Sequence, residues 1–179
     1  MTAMIIDTAR LRLLPYEPEH LLALIEGVPQ FEERIGLQAA DGLRDFIVSD
    51  DVSPAWITRL RASRGIDPWV HGFAVIRQDS HSVIGNASFK GPPDEGGAVE
   101  IAYGIVPGHQ GHGFATEAAA ALVAFAFGSG RVRLVRAHTL PAPNASTRVL
   151  AKCGFERVGE VVDPEDGPVW RWERTEGPA

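Results

Sequence analysis

The chain has 179 residues, 45% of them hydrophobic and 22% charged, which suits one globular domain with a sizeable core and leaves no room for a second full domain. Its 17 Lys and Arg against 23 Asp and Glu give a formal net charge of -6 without long runs of one sign, which argues against a nucleic-acid binder. Cys153 is the only cysteine, so an internal disulfide and a thiolate-rich zinc site are both excluded.

The start, Met1-Thr2-Ala3-Met4 followed by Asp7 and Arg10, lacks the charged-then-apolar order of a signal peptide. No stretch approaches the roughly 18 apolar residues of a membrane span. A soluble, cytoplasmic protein is expected.

Leu11 and Leu13 alternate with Arg10 and Arg12 and read as a short strand. Residues 15–19 lead into an apolar helix over 21–25, which Gly27 and Pro29 end. The stretch 31–51 has weak periodicity and is expected to help shape a substrate pocket. Ser53-Pro54 reads as an N-cap with proline in the first turn of a helix that Gly65 terminates. Runs 70–77 and 82–90, joined by Gln78-Asp79-Ser80-His81, read as an antiparallel hairpin, and 91–97 as a surface loop.

Over 99–106, Val99, Ile101, Tyr103 and Ile105 alternate with Glu100, Ala102 and Gly104, so Glu100 and Tyr103 face opposite sides of a strand. A turn over 107–113 then opens an Ala-rich helix that Gly128 closes. A strand near 132–139, a helix over about 144–152 and a hairpin turning at Pro164-Glu165-Asp166-Gly167 complete the chain. Trp170 and Trp172 share one face of the last strand and Arg171 and Glu173 the other, the pattern of a half-buried strand.

The strand-turn-helix unit carries the chemistry. In Gln110-Gly111-His112-Gly113-Phe114-Ala115, two glycines let the backbone approach a ligand just where the first helical amides lack intrahelical partners. Those amides sit at the positive end of the helix dipole and suit a diphosphate. A Gly-x-Gly turn alone reads equally well as a tight turn with no ligand. A dinucleotide fingerprint is absent, since Thr116 stands where its third glycine belongs, and no lysine sits in a kinase-type phosphate loop.

These residues resemble the signature of the GNAT acetyltransferases, Gln/Arg-x-x-Gly-x-Gly/Ala, met by Gln110, Gly113 and Ala115 after the strand. Val106-Pro107-Gly108-His109 resembles the same family's strand-to-loop junction, and Asn144 through Phe155 its later helix. Leu11-Arg12-Leu13 with Pro18-Glu19-His20 is similar to the start of its ribosomal-protein-acetylating branch. The resemblance implies an α/β (α+β) fold, a mixed and mostly antiparallel sheet with helices on both faces and a splayed central strand pair. It also implies acetyl-coenzyme A as co-substrate and no metal.

By position, the amides of Gln110, Gly111, His112, Gly113, Phe114 and Ala115 would take the pyrophosphate. Main-chain groups of Ile105, and Asn144, would take the pantetheine. The implied reaction is acetyl transfer to a primary amine of a small molecule or a protein N-terminus by direct attack in a ternary complex. The alternatives are a catalytically silent coenzyme A-binding regulatory module and an interaction domain whose loop binds nothing. The implied partners are acetyl-coenzyme A and an amine, with a homodimer left open.

Glu100 is the candidate base, its pKa expected to rise toward neutrality by burial, against the alternative of an ordinary strand carboxylate or salt-bridge partner. The family's usual proton-donating tyrosine position holds Leu150, which cannot donate. Ser146 reads either as a donor to the departing thiolate or as a helix-start cap. Cys153 is expected against the core, and His109 and His112 as loop residues near phosphates.

Overall fold

Alternating burial along the strands assembles the sheet: Leu11 and Leu13 are fully buried while Arg10 and Arg12 stay outside, and Val135, Ala137 and Thr139 are buried between exposed or half-buried neighbours. The computed structural model describes residues 4–48 and 50–177. The reading of Met1 to Ala3 lies outside the described residues.

In chain order the elements are β1 (Ile6–Asp7), β2 (Leu11–Pro15), α1 (Pro18–Glu26), α2 (Val28–Ile35), β3 (Gln38–Ala39), α3 (Leu43–Ile47), α4 (Pro54–Ala62), α5 (Pro68–His71) and β4 (Phe73–Arg77). There follow β5 (Ser82–Phe89), β6 (Ala98–Ile105), a 3-10 turn (Pro107–His109), α6 (Phe114–Gly128), β7 (Leu134–Thr139), α7 (Ala145–Lys152), β8 (Glu156–Asp163) and β9 (Gly167–Thr175). The strands form one sheet in the order β1-β2-β4-β5-β6-β7-β9-β8, with β3 beside β5. Every pairing is antiparallel except β6 with β7 and β3 with β5, so the sheet is mixed and mostly antiparallel, as the resemblance implied.

The β6–β7 ladder runs only from Ala98↔Leu134 to Glu100↔Arg136, whereas β6 pairs with β5 from Phe89↔Ile101 to Gly85↔Ile105. Beyond Glu100 the two strands part, and the side of β6 that faced β7 loses its ladder. The two faces of β6 meet different helices. Tyr103 reaches the first turn of α7, while Gly104 lies under Phe46 of α3.

Several boundaries moved for local reasons. Gly27 ends α1 as expected, but Pro29 sits in the first turn of α2 rather than beyond a helix, a place where a missing N–H costs nothing. Residues 68–71 form α5, capped by the Asp67 carboxylate accepting from the Trp69 amide, so the strand expected from Val70 starts at Phe73. Ser53 precedes α4 without a side-chain cap, and the helix stops at Ser63, before Gly65. The strands expected at 99–106 and 132–139 lie at 98–105 and 134–139. Trp170 and Trp172 do share the face of Thr139, with Trp172 Nε1 donating to Thr139 Oγ1 at 3.0 Å.

Helix α6 is apolar nearly all round and packs on β6, β5 and β2, its alanines allowing close approach. Its one acid, Glu117, is used as an anchor: it accepts from Thr8 Oγ1 at 2.6 Å, the Arg10 amide at 3.0 Å and Arg10 Nε at 3.1 Å. Burial is the largest influence on Glu117 and pushes its pKa up, yet these donors together outweigh it and hold the carboxyl below its ordinary value. Cys153 is buried, its Sγ 3.6 Å from the Thr116 carbonyl, and burial raises its thiol pKa as a core cysteine requires. Among the described residues, no helix is long and apolar enough to cross a membrane.

Candidate active site

The phosphate-type loop takes the backbone that its glycines permit. Gly111 and Gly113 adopt φ of +82° and +83°, the left-handed region that side chains with a Cβ avoid. Gly113 is the N-cap of α6 and offers no side chain to cap it, so the amides of Phe114, Ala115 and Thr116 are left for a ligand at the positive end of a 15-residue helix. Gln110 contributes by holding the loop: its Nε2 donates to the Ile105 carbonyl at 2.8 Å, tying the loop to the end of β6.

A cavity of about 440 Å³, within the range of small-ligand sites, runs from this loop along β6 to α7 and α3. It is lined by Ile105, Gln110, Gly111, Gly113, Phe114, Ala115 and Ser146 among the residues expected from sequence. His112 is not among the lining; its carbonyl accepts from Arg10 and its ring lies against Phe114, while His109 takes the place in the groove. Asn144 stands at the N-terminus of α7 beside the lining residues Ala145 and Ser146. Its side-chain oxygen accepts from the Thr147 amide at 2.9 Å and thus caps the helix, the role that Ser146 was one candidate for.

The structure adds lining residues that the sequence reading passed over. Arg148 and Lys152 lie one helical turn apart on α7, both facing the cavity, so cationic side chains reinforce the helix-end amides; their i, i+4 spacing was the available signal. Tyr103 also lines the cavity, its hydroxyl donating to the Ser146 carbonyl at 3.5 Å. Burial is the main reason its phenol pKa is raised well above the ordinary value, so the proton stays on at neutral pH. Leu150, where the family's tyrosine usually stands, is fully buried.

Glu100 is the last ladder residue before β6 and β7 part, on the face opposite Tyr103. Its Oε1 accepts from His138 Nδ1 at 2.8 Å and pairs with Lys90 Nζ at 3.0 Å. Arg171 Nε donates to His138 Nε2 at 3.1 Å, and since a guanidinium only donates, Nε2 must accept and Nδ1 must carry the proton toward Glu100. Burial is the largest single influence on Glu100 and pushes its pKa up, but the hydrogen bonds and charges of His138 and Lys90 together outweigh it. The expected rise toward neutrality is therefore corrected: Glu100 sits below the ordinary glutamate value and is a charged, well-anchored carboxylate.

A family model described as an acetyltransferase (GNAT) domain matches residues 10–156. The chain belongs to the GNAT family. Among relatives of this GNAT domain, the uncharacterised N-acetyltransferase YjdG of Bacillus subtilis (strain 168) is 27% identical over 99 residues, 55% of this chain and 56% of that protein. The chain spans about half the length of the relatives it matches in sequence. In fold, the GNAT domain is similar to the ribosomal L7/L12 alpha-N-protein acetyltransferase RimL, solved in complex with coenzyme A, at a TM-score of 0.67 and 18% identity over 96% of this chain and 98% of that one. It is also similar to a ribosomal-protein-S5-alanine acetyltransferase from Vibrio fischeri, at a TM-score of 0.66 and 15% identity over 96% of both chains. At these identities the likeness is one of architecture.

Proposed function

We propose that the chain is an acetyl-coenzyme A-dependent N-acetyltransferase that transfers the acetyl group to a primary amine by direct attack in a ternary complex. The observation that carries this reading is one continuous cavity joining the uncapped N-terminus of α6 to the unladdered side of β6. It offers donors for a diphosphate at one end and strand-edge main chain for an amide-bearing arm at the other. When bound, acetyl-coenzyme A supplies a thioester-activated acyl group.

The amides of Phe114, Ala115 and Thr116 bind the pyrophosphate, with Arg148 and Lys152 adding positive charge, and the main chain near Ile105 aligns the pantetheine. Glu100 accepts the proton that the attacking amine loses, relayed by water, because its carboxylate is ionised and fixed in direction by His138 and Lys90. Its lowered pKa makes it a weak base, so a rising rate with pH reports the acceptor amine losing its own proton. On the other face, the Tyr103 hydroxyl is the proton donor for the leaving thiolate, with the Ser146 hydroxyl as the second candidate beside it.

The acceptor is a small-molecule amine or a protein N-terminus. The second class is supported by the architectural likeness to RimL, whose name states that it acts on ribosomal L7/L12. The test is calorimetric binding and thermal stability with acetyl-coenzyme A against NAD and ATP. A ligand present at about 100 times its dissociation constant stabilises by about 2.7 kcal/mol. Selective stabilisation followed by thiol release with an amine supports the enzyme. Binding without turnover on any amine points to a silent coenzyme A module, and no binding by folded protein removes both.

A further inference from the structure

Gly104 is not a hinge glycine: it lies in the regular β5–β6 ladder opposite Asn86, and its φ is not positive. Its role is spatial. A Cβ at this position would fall 2.1 Å from Phe46 Cζ and 2.5 Å from Phe46 Cε1, so the missing side chain is what lets that ring rest on the strand. Phe46 lines the cavity while keeping 46% of its surface exposed. The helix beneath the ring is well held, because Arg44 of α3 donates to the Leu24 carbonyl at 3.0 Å and the Ile25 carbonyl at 2.7 Å, and Leu43 is buried. The ring can therefore turn about its own side-chain bonds without moving α3.

Asn86 and Gly104 are directly opposed, and opposed residues project to the same face, so the Asn86 side chain and the Phe46 ring share one side of the strand pair. The Asn86 Oδ1 atom is buried there without a hydrogen-bond partner. A buried amide oxygen without a donor is unfavourable and marks a place where a donor belongs when the site is in use. Ala102, next along that face, carries only a methyl group, so the strand surface between Asn86 and Glu100 is low.

We propose that Asn86, Gly104 and Phe46 form the subsite for the acceptor amine, a deepening that rests on the acetyltransferase reading. Phe46 swings off Gly104 to admit the amine and then covers the carbon next to its nitrogen, and Asn86 Oδ1 accepts one N–H. A neutral primary amine has two N–H bonds, so it donates one to Asn86 and still has the other to lose after attack. An alcohol spends its single O–H on one or the other. The subsite thus selects nitrogen over oxygen nucleophiles and turns the nitrogen lone pair away from Asn86 toward the cavity where the thioester lies.

The test uses the full chain, labelled with nitrogen-15, saturated with coenzyme A and titrated with n-butylamine. The side-chain amide pair of Asn86 is identified by its loss in Asn86→Leu. That pair should shift in a saturable way, and in Asn86→Leu and Phe46→Ala the butylamine dissociation constant should rise about tenfold. Coenzyme A affinity should stay unchanged in Asn86→Leu, whose side chain lies outside the cavity lining. The melting temperature of Asn86→Leu should not fall, since Oδ1 has no partner to lose. Unmoved Asn86 resonances, or wild-type amine affinity in both variants, overturn the subsite and leave the acetyltransferase reading standing. Failure of the wild-type chain to bind coenzyme A overturns both.

Discussion

The head of α6 and the face of β6 that carries Glu100 are built on opposite principles; the cavity reaches that face at Gly104 and Phe46, and Glu100 itself lies outside its lining. At the helix head the functional groups are backbone amides, and the side chains that matter are those that are missing: Gly111 and Gly113 take left-handed angles, and Gly113 leaves α6 uncapped. On the β6 face the functional groups are side chains from distant parts of the chain. Glu100 comes from β6, Lys90 from the residue after β5, His138 from β7, Arg171 from β9, and Phe46 from α3. A site made of backbone is written in consecutive residues and survives change around it, whereas a site made of side chains depends on a register between strands.

The sharpest way to break the backbone end is Gly113→Val. A β-branched residue must adopt φ near +83°, and its Cβ would sit 3.3 Å from Arg10 Nη2, so acetyl-coenzyme A affinity measured by calorimetry should fall about 100-fold. An unchanged dissociation constant would mean that the loop does not hold the pyrophosphate. At the side-chain end, Glu100→Gln keeps the shape but removes the charge. Turnover should fall about 10- to 100-fold with acetyl-coenzyme A binding intact, and equal turnover would make Glu100 a structural partner of Lys90 and His138 only.

A smaller effect separates the two hydroxyls on the opposite face. Tyr103→Phe should lower kcat about tenfold without weakening coenzyme A binding, and Ser146→Ala should leave kcat nearly unchanged; the reverse order would assign the proton to Ser146. The smallest expected effect lies outside the site, in the packing that supports it. His20 and His71 are buried, and burial is the first cause of the lowered pKa of each. A histidine with a depressed folded pKa contributes stability that is full above its unfolded value of about 6.5 and is lost as pH falls toward the folded value. The melting temperature should therefore drop as pH falls below about 6.5, before the carboxylates titrate. In His71→Phe, which removes two buried ring nitrogens without partners, that drop should be shallower.

What was legible follows the same division. The strand-turn-helix unit was readable because the period-two alternation over β6, the glycine pair and the Ala-rich run are local signals that tertiary packing did not override. The short elements α5, β3 and α3 were not readable, since two to five residues carry too little periodicity to stand out, and α5 owes its start to the Asp67 cap. His109 and His112 read alike from the sequence, as loop residues near phosphates, yet only His109 lines the groove, while the chain turns His112 toward Arg10 and Phe114. Tyr103 reads only as a strand residue on the face opposite Glu100, because nothing in its neighbourhood of sequence says that Ser146, 43 residues later, stands opposite its hydroxyl.

The sequence by itself determined the backbone end of this protein: where a helix begins without a cap, which glycines free the chain there, and that Leu150 cannot give a proton. Those are properties of neighbouring residues, and short-range sterics and unpaired amides decide them. Only the tertiary structure decided the charge state of Glu100. Burial alone would have raised its pKa, and the sign reversed because strand register brought Lys90 and His138 within hydrogen-bond reach. The same holds for Gly104, whose lack of a side chain acquires a meaning only when Phe46, 58 positions earlier in the chain, comes to rest on it.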